Sequence, residues 1–388
     1  MNSNAFHITI TPRDPIIARD GRPFNHGQRM RSLDWIYPSV FAGSLRTLIG
    51  KQLGMKFDPT EVETLKSLEI AGPFPLFNEK VFVSKPLDCI VEESEKKEKK
   101  QYTARPANLR NGEGTNLPNG LLPVILSEKK GEEFKPAQTA PFWSFEKMVE
   151  WLATPVCCDE VIEEKEGESV LDAFEQEERT HVALTPETGT AKDSMLFSTT
   201  GLDFEKKKGT EIIRMVAEIT TPESLSSTIQ SLNALHPLGG ERRLVHWKTD
   251  GKPFHDATER LRIFSSNKLV RMVLATPAIF RHGWLPGWIN ETTFQGAIPG
   301  TGVTGKLIGA SVERWQPISG WSYENNQPKP VRRLVPAGSV YFFELEEGDF
   351  GQLLNKAWIK SVCDNEQDQR DGFGLALWGI WDYNEPST

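Results

Sequence analysis

Phe6-His7-Ile8-Thr9-Ile10, followed across a polar turn by Pro38-Ser39-Val40-Phe41-Ala42-Gly43-Ser44-Leu45-Arg46-Thr47-Leu48-Ile49, is the stretch on which the fold turns. The first piece alternates apolar and polar positions and is rich in β-branched residues, so it reads as a half-buried strand. In the second, Val40, Phe41, Leu45, Leu48 and Ile49 recur at helical spacing. Pro38 stands at its start, and Gly50 and Gly54 mark its end. The chain therefore opens strand, long turn, helix.

Working outward, residues 55–180 read as a large insertion, with a charge run from Glu92 to Lys100, a short helix near Trp143–Leu152 and an acid-rich stretch over 159–178. Beyond it, His181–Thr185 and Ser194–Ser198 read as a long hairpin. Ile212–Ile219 reads as a strand with Met215, Ala217 and Ile219 on one face. Pro222–Leu235 reads as a helix with Thr221 as N-cap, and Arg243–Trp247 as a strand. A second series follows: a strand at Lys268–Thr276, a helix at Gly305–Trp315, a hairpin of Val331–Val335 with Ser339–Leu345, a helix at Phe350–Ser361 and a strand at Gly374–Ile380.

Both halves then run strand, helix, two strands, helix, strand, the split βαβ order of ferredoxin-like (RRM-like) βαββαβ domains. The expected fold class is α+β, with one such domain over 1–265, carrying the insertion, and another over 266–388. The halves share order but not residues, and the same elements also fit a single irregular α+β fold.

Composition narrows the function. The chain has 388 residues, with 45 Lys+Arg against 53 Asp+Glu, for a net charge of −8. That argues against a wholly basic nucleic-acid binder but leaves room for a local basic surface. Four cysteines without a C-x-x-C pair argue against a zinc ribbon and suit a reducing, cytoplasmic setting. No basic-then-apolar leader and no long apolar run is present, so neither export nor a membrane span is expected.

Charge placement says more. Arg13–Lys51 holds seven basic residues, nearly all Arg, against three acidic ones, and Glu241–Arg281 is likewise basic. Arginine grips phosphate bidentately, and the interleaved Phe24, Trp35 and Tyr37 are candidates for stacking on unpaired bases. The competing reading pairs these arginines with neighbouring Asp and places the aromatics in the core. Gly300-Thr301-Gly302-Val303-Thr304-Gly305-Lys306 mimics a phosphate loop, but Leu307 stands where a metal-binding hydroxyl is required. A turn whose N–H groups and Lys306 approach a polynucleotide phosphate is the alternative. Arg370-Asp371-Gly372-Phe373-Gly374 offers a second glycine-bearing turn. Of seven histidines, only His26, in the Arg-rich loop, is a candidate general base; no metal-ligand or nucleophile-elbow pattern exists. No cofactor and no metal is expected.

Together these pieces resemble RAMP proteins of CRISPR systems, and within them the family of the third subunit of the type III-B (Cmr) RNA-guided effector complex. The resemblance rests on several stretches. The N-terminal ones are Arg13-Asp14-Pro15, Arg19-Asp20-Gly21-Arg22-Pro23-Phe24 and Pro38–Thr47. In mid-chain come His181-Val182-Ala183-Leu184, Thr188-Gly189-Thr190-Ala191, Leu196-Phe197-Ser198-Thr199 and Leu238-Gly239-Gly240-Glu241-Arg242-Arg243. Toward the end are Pro336–Phe342 and Gly372-Phe373-Gly374-Leu375. Nothing matches within 55–180.

The resemblance implies two ferredoxin-like domains without catalytic activity and a subunit that holds the 5′ handle of the crRNA. It also implies docking on the large palm-domain subunit and an adjacent backbone RAMP subunit, with target RNA met only indirectly. The hairpin near 181–198 would act as a thumb. Carried over, the positions near RNA are Arg13, Arg19, Arg22, His26, Arg29, Arg31, Ser39, Arg46, Gly239, Gly240, Arg242, Arg243, Arg370, Gly372 and Gly374, beside Lys306 from the turn above. Two other classes compete: a crRNA-processing endoribonuclease using His26, and a protein-only adaptor.

Overall fold

A computed structural model describes residues 4–19, 30, 32–109, 112–118, 120–126, 134–206, 211–251, 258–322 and 327–383. The chain is a mixed, strand-rich α and β protein with seven helices among these residues. Strand β1 is Asn4–Pro12, and its alternation turns Ile8 and Ile10 fully inward. Helix α1, Pro38–Gln52, starts with proline in its first turn and buries Phe41, Leu45, Leu48 and Ile49 of the stripe read from sequence, together with Ala42, while Val40 stays half-buried. Helix α2, Pro59–Lys66, opens on a capping box between Asp58 and Glu61. It leads into β2, Glu69–Phe77.

From here the chain builds β3 (Lys80–Ser84), β4 (Cys89–Glu93), β5 (Lys99–Thr103), β6 (Phe142–Ser144), α3 (Phe145–Ala153), β7 (Glu160–Ile162) and β8 (Val170–Leu171). Next comes a hairpin of β9 (Gln176–Leu184) and β10 (Ala191–Leu202), paired from Gln176↔Leu202 to Leu184↔Ala191 and so longer than expected. Strand β11 (Arg214–Thr221), α4 (Glu223–Gln230), β12 (Asn233–Pro237) and β13 (Leu244–Thr249) follow. The last stretch holds α5 (Glu259–Arg262), β14 (Leu269–Leu274), β15 (Gln295–Ala297), β16 (Thr304–Ser311), β17 (Val340–Glu347), α6 (Phe350–Lys356), β18 (Lys360–Ser361), α7 (Glu366–Asp371) and β19 (Leu375–Ile380).

The chain divides into two compact units, each discontinuous in sequence. One comprises 1–77, 173–252 and 316–333, the other 78–172, 253–315 and 334–388. The first holds strands in the order β2-β11-β1-β13-β12, the second in the order β15-β16-β17-β14-β19-β18. Neighbours within β2-β11-β1-β13 and within β16-β17-β14-β19 are antiparallel.

Several sequence expectations are corrected here. A linear split at 265/266 does not describe these units, because 78–172 packs with the C-terminal half. In that unit Arg271 and Asp88 form a fully buried ion pair at 2.6 Å. A Cβ on Gly379 of β19 would sit 2.6 Å from the Leu152 carbonyl oxygen of α3. The insertion also starts later than residue 55, since α2 and β2 belong to the first unit. Strand β2 carries Pro73 and Pro75, which lack N–H donors and hide the strand pattern, and its register slips between Val216 and Glu218 of β11.

The helix expected at Gly305–Trp315 is strand β16 instead. Its register against β17 shifts beside Gly305 and Gly309, bulges that side-chain-free residues accept easily. The neighbours of β17 are therefore β16 and β14, while Val335 bridges to Ala278 rather than to the 339–345 strand. Helix α4 stops at Gln230, since Asn233–Pro237 finds its hydrogen bonds on β13. Helix α6 stops at Lys356, and Lys360–Ser361 pairs with β19. Among the described residues no helix is long and apolar enough to cross a membrane.

Candidate nucleic-acid interface

Pro12 ends β1, and the next segment lies flat on the first unit because its middle is apolar. Ile16, Ile17 and Ala18 are buried. Ile16 exchanges N–H···O=C bonds with Leu202 of β10, 2.9 Å and 2.8 Å, and Gly240 N–H donates to the Ile17 carbonyl at 2.7 Å. The segment is a seam between the hairpin root and the loop that precedes β13. At its near end Arg13 is exposed; its N–H donates to Leu244 O at 3.0 Å, and Asp14 Oδ2 accepts from Leu244 N–H at 3.3 Å. At its far end Arg19 is exposed and its backbone bridges Ser32. Arg22, His26, Arg29 and Arg31 lie outside the described residues, as does Phe24.

The loop 239–243 closes the other side. Gly239 has φ +76°, and a side chain there would collide with the Ile17 carbonyl. The close approach that glycine permits here is to the protein's own seam, with Ile17 the neighbour of both Gly239 and Gly240. Glu241 and Arg242 then take left-handed conformations, φ 53° and 54°. Arg242 ends exposed, while Arg243 folds back until its side chain is 13% exposed.

Where seam, loop and hairpin root meet, Pro15, Ile17, Glu177, Arg179, Thr199, Gly201 and Arg243 close around a crevice too tight to admit a water molecule. Arg179 stands on β9 opposite Thr199 of β10 and pairs with Glu177, two residues back on the same face. That carboxylate first, then Asp14 and Glu241 more weakly, holds the Arg179 guanidinium above its ordinary range. Arg243 Nη2 donates to Glu241 Oε2 at 3.1 Å, and its Nε is buried without an acceptor among the described residues. Four guanidinium groups, Arg13, Arg179, Arg242 and Arg243, thus stand on segments that meet at one seam. Sequence reading missed Arg179 because the hairpin was traced only from His181. Gln176–Thr180 are all polar and carry no apolar alternation, so the sequence offered no strand signal there.

Other candidates are committed elsewhere. Arg46 donates from Nε to Leu65 O at 3.0 Å and from Nη2 to Leu68 O at 3.1 Å, satisfying carbonyls at the end of α2. Ser39 lies in the first turn of α1 but does not cap it; Tyr37 is the N-cap, without a side-chain bond. Lys306 sits within β16 opposite Glu344, not at a helix start. Arg370 pairs with Glu366 one helical turn earlier. Gly372, φ 95°, is the left-handed cap of α7, and a Cβ on Gly374 would lie 2.6 Å from Cys363 Sγ. Both glycines are buried and serve the chain itself. Trp35 packs on Phe174 and Phe204 and donates to Pro73 O, and Tyr37 is buried with its hydroxyl on Gln316. Tyr37 is core, while Trp35 is half-buried with its indole N–H engaged.

The described histidines are dispersed. His7 meets Glu218, His181 meets Thr199, His246 meets Asn233 and His282 meets Glu291. No group of three metal-ligating side chains occurs among the described residues.

Comparison with known proteins gives the family of this strand-rich α and β scaffold. A family model for CRISPR-associated protein (Cas_Cmr3) matches residues 8–381, and the chain belongs to that family. No curated protein matches it. Among solved structures it is similar to a chain of the type III-B Cmr-beta complex bound to cognate target RNA and AMPPnP, with 16% identity, 87% of this chain and 86% of that one covered, and a TM-score of 0.45. It is also similar to a chain of the Csm3–Csm4 subcomplex of the type III-A interference complex, with 11% identity, coverage of 89% and 94%, and a TM-score of 0.35.

Proposed function

We propose that this protein is the non-catalytic, crRNA-binding third subunit of a type III-B (Cmr) CRISPR interference complex. It would hold the 5′ handle of the guide, dock on the large palm-domain subunit and an adjacent backbone RAMP subunit, and work in the cytoplasm. Family membership supports a place in that complex. The observation that carries RNA binding is the meeting of Arg13, Arg179, Arg242 and Arg243 around the 13–19 seam. The orders β2-β11-β1-β13 and β16-β17-β14-β19 are the same permutation of first to fourth strand, and they support reading both units as ferredoxin-like (RRM-like), the second without a helix in its first crossover.

The β9–β10 hairpin bridges Ile16 at its root through Leu202 and exposes Val182, Leu184 and Leu196 toward its tip. Such an apolar, protruding ribbon suits a thumb laid against a neighbouring subunit or a guide duplex.

Charge reversal tests the reading. Arg13→Glu with Arg242→Glu should weaken binding of repeat-derived RNA by the assembled complex, and should flatten the salt dependence by about 0.7 per lost phosphate contact on a single strand. Arg46→Ala should leave that slope alone while lowering stability by about 1–3 kcal/mol, because it strips carbonyl partners from α2. Unchanged RNA binding in the reversed variant would favour the protein-only adaptor. Site-specific cleavage of repeat RNA that is lost in His26→Ala would favour the endoribonuclease.

A further inference from the structure

Strand β12, Asn233-Ala234-Leu235-His236-Pro237, ends the sheet of the first unit, and no strand among the described residues pairs with its outer side. Its hydrogen bonds show which groups that side presents. Thr249 N–H donates to Leu232 O and Leu238 N–H to Arg243 O, both at 2.9 Å, in register with the pairing of β12 and β13. Even-numbered residues therefore turn their backbone groups to β13, and Asn233, Leu235 and Pro237 turn theirs outward. Ser44 Oγ donates to the Pro237 carbonyl at 2.5 Å. The backbone N–H and C=O of Asn233 and Leu235 have no partner among the described residues.

Open edges invite pairing with other chains, and proteins ordinarily blunt them with charge or by keeping them short. The sheet of the second unit does so: its edges are β15, three residues, and β18, two residues with Lys360. Strand β12 has five residues and no Asp, Glu, Lys or Arg, and its Leu235 is 60% exposed. Leu244 of β13, 40% exposed, lies on the same face one row along, since Leu235 stands opposite His246 and Pro237 opposite Leu244. We propose that β12 is a docking edge, and that an extended segment of a neighbouring protein subunit adds to it as the next strand, with an apolar residue over Leu235 and Leu244 and a carboxylate toward Lys51 and Arg242. The inference rests on the reading of this chain as a subunit of a complex and deepens it.

Backbone chemistry and charge choose this occupant. An extended peptide presents donors and acceptors in turn, which answers both the N–H and the C=O of Asn233 and Leu235. Phosphate oxygens only accept, so RNA on this edge would set its acceptors against the two carbonyls. Lys51, at the end of α1 and near enough to act on His236 of β12, is exposed, as is Arg242 in the turn between β12 and β13. Neither has an ion pair among the described residues, whereas Lys248 pairs with Asp250 and Glu241 with Arg243. The surplus charge beside the edge is positive, which suits an acidic flank on the incoming strand.

Residue-resolved amide hydrogen exchange tests this on the wild-type chain, alone and assembled with the large palm-domain and backbone subunits. In the free chain the Asn233 and Leu235 amides should exchange fast, while those of Ala234 and His236, which face β13, are protected. On assembly Asn233 and Leu235 should slow by about tenfold or more. Leu235→Pro removes the outward N–H without touching the ladder to β13, and should weaken association with the neighbour about tenfold, whereas Leu235→Val should not. Lys51→Glu should weaken it about three- to tenfold. Exchange is read on the wild-type chain, so misfolding of a variant cannot imitate the result. Unchanged exchange at 233 and 235 in a complex that does assemble overturns the docking edge and leaves the subunit reading intact. Protection of these amides by single-stranded repeat RNA without the other subunits places RNA on the edge and also overturns it. Failure of the chain to assemble with those subunits overturns both.

Discussion

Arginines that look alike in the sequence have opposite fates in the fold. Arg46 and Arg243 both sit in basic stretches, yet Arg46 is spent on the carbonyls of Leu65 and Leu68, while Arg243 lines a closed crevice with a donor to spare. What separates them is whether unsatisfied acceptors lie within reach, and a helix C-terminus is the commonest source of these. A buried histidine gives a testable residue-scale consequence. Burial first, and the Lys51 ammonium second, lower the imidazole pKa of His236 from 6.5. The folded state therefore resists a proton that the unfolded chain accepts near 6.5, so this residue's contribution to stability is present above that pH and is lost as pH falls through the window below it. His236→Gln should show a smaller loss of stability between pH 7 and pH 5 than wild type, measured by denaturant unfolding at both.

Elements in the second unit are tied together by one buried network. Arg271 of β14 pairs with Asp88 just before β4, and its Nη2 also donates to Trp151 O and Thr154 O at the end of α3. Trp151 Nε1 donates to Asp88 Oδ1 at 2.9 Å, and the guanidinium lies 5.3 Å from the Trp151 ring. Both charges are fully buried, so removing one leaves the other uncompensated. Asp88→Asn should cost about 3–5 kcal/mol in denaturant unfolding. Replacing both as Asp88→Asn with Arg271→Met should recover only part of that, because the Trp151 and Thr154 carbonyls lose their donor. Full recovery in the double variant would mean that the network contributes nothing beyond its charge pair. Elements also show why β16 was misread. Residues 305–315, expected to be a helix, carry Gly305 and Gly309 and face a strand edge at β17, and these decide for a bulged strand.

At the scale of the whole chain, the insertion is part of a core rather than an ornament. Cys89 of β4, Trp143 of β6, Trp151 of α3 and Val170 of β8 are buried together with Cys157, and α3 packs on β19 through Leu152 and Gly379. Excising 85–170 should therefore leave the second unit insoluble or molten, which near-ultraviolet circular dichroism and solubility would show; a cooperatively folding deletion variant would refute this. What the sequence determined by itself was what local chemistry decides. The strand at β1, the stripe of α1, the inward face of β11 and the positive balance of the 13–51 segment follow from periodicity and charge along a few residues. Strand β2, broken by Pro73 and Pro75, and strand β16, with Gly305 and Gly309, were not legible, because prolines and glycines interrupt their strand signals. Only the tertiary structure decided that Gly239 serves Ile17, that Gly374 serves Cys363, that Arg46 caps α2 and that Arg179 joins Arg243. The reason is physical: a donor's partner and a glycine's near neighbour are set by which segments meet in space, and these segments lie tens to hundreds of residues apart in the chain.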